Sequence, residues 1–214
     1  MRRLPVYLVL DVSASMTGEP IEAVKNGMKM LVAGLRQDPY ALETTHLSVI
    51  SFNHEAKQEV PLTELSLFQE PILKASGQTG LGEALVTLSE CIDREVLKTS
   101  PTHKGDWKPL IFLMTDGLPT DDWKQGLKKF ENHKCAIVVA CAVGPHANTH
   151  MLKEITSDVV QLDTADSNSI QAFFKWVSSS ISVSNSISAE GNENKDTFGV
   201  SELPPPPPEV NIVV

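Results

Sequence analysis

The chain has 214 residues, 41% of them hydrophobic, with 18 Lys+Arg against 27 Asp+Glu and a formal net charge of −9. That length supports one substantial core rather than two domains, and the acidic balance excludes the cationic footprint that holds nucleic acid or an anionic membrane surface. No stretch approaches the roughly 18 uninterrupted apolar residues of a membrane span, and Cys91, Cys135 and Cys141, odd in number and without paired zinc spacing, read as the reduced, buried thiols of a soluble cytosolic protein.

In chain order, the apolar run Val6, Tyr7, Leu8, Val9 and Leu10 predicts a strand buried on both faces. Met1-Arg2-Arg3 opens like a signal peptide, but Asp11 breaks the run and no small-residue cleavage pattern follows, so the segment is expected to be strand one. Asp11 falls where that strand leaves the core, with Ser13 and Ser15 close behind in "DVSAS". The stretch "EPIEAVKNGMKMLVAGLRQ" places Ile21, Val24, Met28, Leu31 and Leu35 at helical spacing, with Pro20 in the first turn, and closes near Asp38-Pro39. "HLSVISFN" and "AKQEVPLTEL" are two extended segments joined by Asn53, His54 and Glu55. They predict a hairpin whose second strand, carrying Pro61, belongs at an edge.

"GQTGLGEALVTLSECIDREVLK" begins with Gly77, Gly80 and Gly82 and becomes a helix with Leu81, Leu85, Leu88 and Ile92 on one face. After a polar loop, "PLIFLMTDG" repeats the opening pattern, a buried strand that ends on an aspartate, here Asp116. Trp123, Leu127 and Phe130 mark a helix, "CAIVVACAVG" a buried strand, residues 151–155 a short helix and "VVQLD" a brief strand. Ile170, Phe173, Phe174, Val177 and Ile181 mark a last helix. This order predicts an α/β fold, a doubly wound, mostly parallel central sheet with helices on both faces. Such sheets bind ligands beyond the carboxyl ends of their strands, which places Asp11 and Asp116 on one rim. From residue 183 the composition turns to Ser and Asn and finishes in "SELPPPPPEVNIVV". The expectation is a globular unit over 1–182 and a disordered tail over 183–214, whose five prolines form a stiff rod that holds residues 210–214 away from the body.

Asp11, Ser13 and Ser15 from the first loop, Thr79 from the glycine-rich loop and Asp116 from the "TDG" turn all carry short oxygen-bearing side chains. Two carboxylates with several neutral hydroxyls suit Mg²⁺ or Mn²⁺, hard ions that take oxygen ligands and usually keep waters. If the hydroxyls bind directly and the aspartates act through waters, the ion stays electrophilic and accepts a carboxylate from another molecule.

These residues carry a resemblance. "DVSAS" is similar to the Asp-x-Ser-x-Ser of von Willebrand factor A domains, Thr79 in "GQTGLGEAL" to their second loop and Asp116 in "MTDG" to their third, over roughly residues 4–182. The resemblance implies the doubly wound fold and a metal-ion-dependent adhesion site built on Asp11, Ser13, Ser15, Thr79 and Asp116. More narrowly, "GEPIEAVKNGMKMLV", "QDPYALETTHLSVISF" and "MTDGLPTDDW" resemble bacterial TerY-type proteins associated with tellurite resistance. That implies metal-dependent protein binding in a stress-response system that often includes a kinase and a phosphatase, with a partner's Asp or Glu completing the metal shell.

Other signals have plainer readings. Asp121 and Asp122 are expected to start the helix around Trp123, and Glu83 to complement the first turn of its own helix. His146 and His150 stand four apart, but no glutamate accompanies His146 and Pro145 begins a loop, so they read as a solvated pair rather than zinc ligands. The serines at 178–188 read as solvated helix end and linker, with phosphorylation as the functional alternative. Two rival functions stand beside metal-dependent binding. One is Mg²⁺-dependent phosphoryl transfer on a strand-end aspartate, weakened because Ser13 stands where aspartyl-phosphate enzymes resemble Asp-x-Asp. The other is a scaffold that acts through its polyproline tail.

Overall fold

The computed structural model describes residues 2–189 and 203–213, with no account of the side chains at 185–189. The elements run β1 (Leu4–Asp11), α1 (Glu19–Leu35), α2 (Pro39–Thr44), β2 (Thr45–Phe52), β3 (Ala56–Glu64), α3 (Leu81–Glu95), β4 (Leu110–Thr115), α4 (Trp123–Phe130), β5 (Ile137–Val143), α5 (Thr149–Ile155), β6 (Asp158–Leu162), α6 (Ser167–Ala189) and β7 (Asn211–Ile212).

All eight residues of β1 are buried, and their alternation divides the core into two layers. Val6, Leu8 and Leu10 face Val24, Met28 and Leu31 of α1 and Phe173 and Phe174 of α6. Tyr7 and Val9 face the other way, toward Leu85 and Leu88 of α3, Leu127 and Phe130 of α4, and Leu152 of α5. The sheet order is β3-β2-β1-β4-β5-β6-β7. Strands β2, β1, β4, β5 and β6 run parallel, while β3 and β7 close the two edges antiparallel. This is the expected α/β architecture, and β3, with Pro61, lies at the edge where a missing N–H costs no ladder bond. The chain winds out from β1 to β2 on one side and resumes at β4 on the other. The strand order therefore reverses between β1 and β4, the crevice at which doubly wound sheets hold their ligands.

Two features differ from the expectation. Asp38-Pro39 does not merely close the first helix: the Asp38 carboxylate accepts from Tyr40 N at 3.0 Å and Ala41 N at 3.2 Å, and Pro39 occupies the first turn of α2. The second correction concerns the tail. Helix α6 runs past residue 182 to Ala189, and the proline segment lies along the body instead of standing off it. Trp176 Nε1 donates to the Pro204 carbonyl at 2.8 Å, Leu203 and Val210 join the main core, and β7 pairs Ile212 with Val160 and Asn211 with Gln161. The physical reason is an open sheet edge at β6 and an indole N–H in the core, both of which need partners that the tail supplies. The expected disorder of residues 190–202 lies outside the described residues. Ser180 and Ser184 are buried, and Ser180 Oγ donates to Trp176 O at 2.8 Å, so these two serines are helix packing rather than solvated linker.

Trp176→Phe keeps the aromatic packing but removes the indole donor, leaving the Pro204 carbonyl without that partner. It is expected to cost about 1 kcal/mol in chemical denaturation and to speed amide exchange at Val213, whose N–H donates to Val159 O. Unchanged stability and exchange would mean that the β7 pairing, Leu203 and Val210 hold the strap without the indole bond.

The three cysteines are free thiols. Burial pushes the Cys135 thiol up to about 12 and holds Cys91 and Cys141 above the ordinary thiol range, which keeps all three protonated and unreactive at neutral pH. No helix among the described residues is long and apolar enough to cross a membrane.

Candidate metal centre

The β1–β4 register sets the site. Leu10 lies beside Met114, so the next residues along, Asp11 and Thr115, meet at the carboxyl ends of the two strands. Thr115 Oγ1 donates to Asp11 Oδ2 at 2.6 Å, and Ser13 N donates to Asp11 Oδ1 at 2.8 Å, so both oxygens of a fully buried carboxylate are held. After Asp11 the chain makes one 3-10 turn over Ala14–Met16, which brings Ser15 Oγ to 3.0 Å from Ser13 Oγ. Ser15 Oγ in turn donates to Asp116 Oδ1 at 2.8 Å. Asp11, Ser13, Ser15 and Asp116 thus form one connected set from two loops.

Thr79 enters from the third loop. Its side chain is buried beside Gly117, where a Cβ would sit 3.2 Å from Thr79 Oγ1. A side chain at position 117 would crowd the threonine against the Asp116 turn. Backbone bonds stitch the loops together. Ala14 N donates to Gly77 O at 3.0 Å, Ser76 N to Val12 O at 2.8 Å, and Thr120 N to Thr79 O at 2.8 Å. Gly77 has φ +78°, the left-handed region that glycine adopts at no steric cost, and the turn there directs its carbonyl to Ala14.

Burial raises the Asp11 carboxyl above its ordinary value, opposed by the hydrogen bonds from Ser13 and Thr115 and reinforced by the nearby Asp116 charge. Asp116 is also raised, again by burial, with the Ser15 bond opposing. Among the described residues neither carboxylate forms an ion pair with Lys, Arg or His. A buried carboxylate with a half-buried one nearby is unfavourable unless a cation or a proton offsets them. No group of three or more His, Cys, Asp and Glu gathers as a metal cage among the described residues, so the donor set is two carboxylates with three hydroxyls. That set fits a hard, oxygen-seeking divalent ion.

Other candidates separate from the rim. His146 lies on the loop before α5 and His150 within it, both exposed, so they do not share a helical face. Asp122 precedes α4 without a side-chain cap bond, and Asp121 serves a different helix from the one expected: its Oδ2 accepts from Glu83 N, in the first turn of α3, at 3.0 Å. Sequence reading missed Thr115, Thr120 and Asp121 as holders of the loops. Only the Thr115 role had a signal, its place beside Asp116 at the end of a strand parallel to β1.

The sequence model of the von Willebrand factor type A domain matches residues 6–176. The chain belongs to that family. Among curated proteins, the vWA chain is 35% identical over 123 residues to the uncharacterized protein sll0103 of Synechocystis sp., covering 54% of this chain and 26% of that protein. Among solved structures, it is similar to the ArnB paralog VWA2 from Sulfolobus acidocaldarius, with TM-score 0.62 and 16% identity over 84% of this chain and 45% of that one. A von Willebrand factor type A protein from Catenulispora acidiphila gives TM-score 0.62 and 14% identity, covering 85% of this chain and 43% of that one. Proximal thread matrix protein 1 from the mussel byssus, in a structure with a zinc-occupied MIDAS motif, gives TM-score 0.58 and 20% identity over 83% and 45%. These likenesses show the fold. The vWA chain spans about a quarter of the curated relative and less than half of each of these solved chains.

Proposed function

We propose that this vWA domain is a metal-dependent protein-binding module. Ser13, Ser15 and Thr79 would hold Mg²⁺ or Mn²⁺ through their hydroxyls, with Asp11 and Asp116 behind them. The single observation that carries the reading is the connected set Asp11–Ser13–Ser15–Asp116, closed by Thr79 beside Gly117. The mussel protein with zinc in its MIDAS motif supports a divalent ion at the equivalent rim. When bound, such an ion, shielded mostly by neutral hydroxyls, supplies an electrophilic position for the Asp or Glu of a partner protein. The chain's own residues do the rest. Thr115 fixes Asp11, Thr120 clasps the Thr79 loop, and exposed Leu118 stands next to the Asp116 turn, where a partner would arrive.

The proposed role is binding rather than catalysis. Position 13 carries a serine where a phosphoryl-transfer site needs a second carboxylate as acid and base. A scaffold acting only through a free polyproline rod is disfavoured because residues 203–213 are packed on the body. The finer placement we propose is a TerY-type protein of the bacterial cytoplasm, in a stress-response system with Ser/Thr kinase and phosphatase partners. It is supported by the stretches "GEPIEAVKNGMKMLV" and "MTDGLPTDDW". No residue of the site carries chemistry for reducing or chelating a tellurium oxyanion.

The test is affinity capture from bacterial lysate with wild-type protein and Asp11→Ala, each in Mg²⁺ and in EDTA, after circular dichroism confirms both are folded. Partners are expected only with wild-type protein in Mg²⁺. Identical captures in all four conditions would refute a metal-bridged contact.

A further inference from the structure

At the pole opposite the metal rim, the ends of α3 and α4 and the loop at 96–109 line a half-open cavity of about 540 Å³. That volume lies within the range of small-molecule sites. Its apolar walls include Ile92, Val96, Trp107 and Pro109, and its polar groups include Lys98, Lys108, Lys129 and Lys134. A cluster of lysines is unexpected in a chain with net charge −9.

Of the two acidic groups in the wall, Asp106 is fully engaged and Asp93 is exposed. Asp106 takes the Arg3 guanidinium on both oxygens, at 2.8 and 2.6 Å, and Leu97 N at 2.8 Å. Asp93 faces His133 at 3.3 Å. Lys129 has an ordinary explanation, since it sits in the last turn of α4, where a cation complements the helix end, and pairs with Glu90 at 2.7 Å. Lys98 and Lys134 lie outside the helices and form no ion pair among the described residues. Trp107 is held in place from outside the cavity. The Arg2 guanidinium carbon lies 3.6 Å from its ring centroid, and Arg2 donates to Gly105 O at 2.9 Å and Asp106 O at 3.0 Å. An aromatic wall held by Arg2, beside two exposed lysines without ion-pair partners among the described residues, suits a ligand that is planar at one end and anionic at the other.

We propose that this cavity binds an organic phosphate of mononucleotide size, its aromatic body against Trp107 and Val96 and its phosphate on Lys98 and Lys134. The site is independent of the metal rim and does not rest on the function proposed above.

The experiment is calorimetric titration of the full chain with AMP, adenosine and inorganic phosphate in EDTA, so that no ion at the rim can take the phosphate. The Trp107 indole resonance is followed in parallel by nuclear magnetic resonance. The same titrations are run on a Lys98→Glu, Lys134→Glu double variant, whose exposed side chains carry no packing. AMP is expected to bind saturably at one per chain and to shift the Trp107 resonance, with adenosine at least about tenfold weaker and the double variant weakened by at least about tenfold. Three results would each overturn the proposal: no saturable AMP binding, AMP binding that survives in the double variant, or inorganic phosphate binding as tightly as AMP, since the aromatic wall would then contribute nothing.

Discussion

Gly126→Val is expected to lower the unfolding free energy by about 3 kcal/mol, the upper end of ordinary overpacking. Helices α3 and α4 cross at two glycines, and a Cβ on Gly126 would overlap the Gly82 carbonyl oxygen. The obstacle is backbone, so no rotamer change relieves it and the helices must separate. Gly82 follows Thr79 by three residues, while α4 follows the Thr120 clasp and the Asp121 bond to Glu83 N. Separating the helices therefore also pulls the second loop away from the third, and the variant should lose metal response along with stability. Gly34→Ala is the control, because its new methyl would meet only the Ser178 hydroxyl at 3.0 Å, a side chain able to turn aside. Urea denaturation separates the two. A Gly126→Val midpoint equal to that of Gly34→Ala would mean the close crossing contributes nothing.

Asp11→Asn is expected to abolish the stabilisation by Mg²⁺. In wild-type protein an ion at one hundred times its dissociation constant should add about 2.7 kcal/mol by mass action, and the variant should gain none. Without metal the order reverses. Burial and the Asp116 charge hold the Asp11 carboxyl above its ordinary value, so its ionised form is a cost to the folded state. A carboxyl whose folded-state pKa is raised binds more protons folded than unfolded, so its contribution to stability falls as pH rises through that value and recovers as pH falls. The metal-free Asn variant should therefore be more stable than metal-free wild type at neutral pH. The difference should shrink on acidification toward the unfolded-state carboxylate range. The Asn side chain can keep both neighbours, its oxygen accepting from Ser13 N and its amide donating to the Thr115 hydroxyl. Thermal unfolding in EDTA and in Mg²⁺ across pH reads all of this. Equal Mg²⁺ stabilisation of both proteins would place the ion elsewhere.

Much of this was legible in the sequence because the strongest signals are local. Continuous apolar runs ending on aspartate marked β1 and β4, and the alternation of strands and helices placed both ends on one rim. The five candidate residues came from loops whose residue types already restricted the chemistry to hard cations. What escaped depends on distant pairing. Asp38-Pro39 reads equally as the end of one helix or the cap of the next, and only the bonds to Tyr40 N and Ala41 N distinguish them. The tail looked unable to order itself because its composition offers little apolar area. Its partner is an unpaired edge at β6 and an indole N–H on α6, neither visible from residues 203–213 alone. Asp121 caps α3 rather than its own helix because the α3–α4 crossing brings the two together, a tertiary fact with no sequence period.

The central claim, that Asp11, Ser13, Ser15, Thr79 and Asp116 hold one divalent ion, is tested most directly by titrating metal-free protein with Mn²⁺ while electron paramagnetic resonance follows the free ion. One Mn²⁺ per chain is expected, displaceable by Mg²⁺, lost in Asp11→Asn and weakened by about tenfold or more in Thr79→Ala. Undiminished Mn²⁺ binding in Asp11→Asn, or none in the wild-type protein, would contradict it.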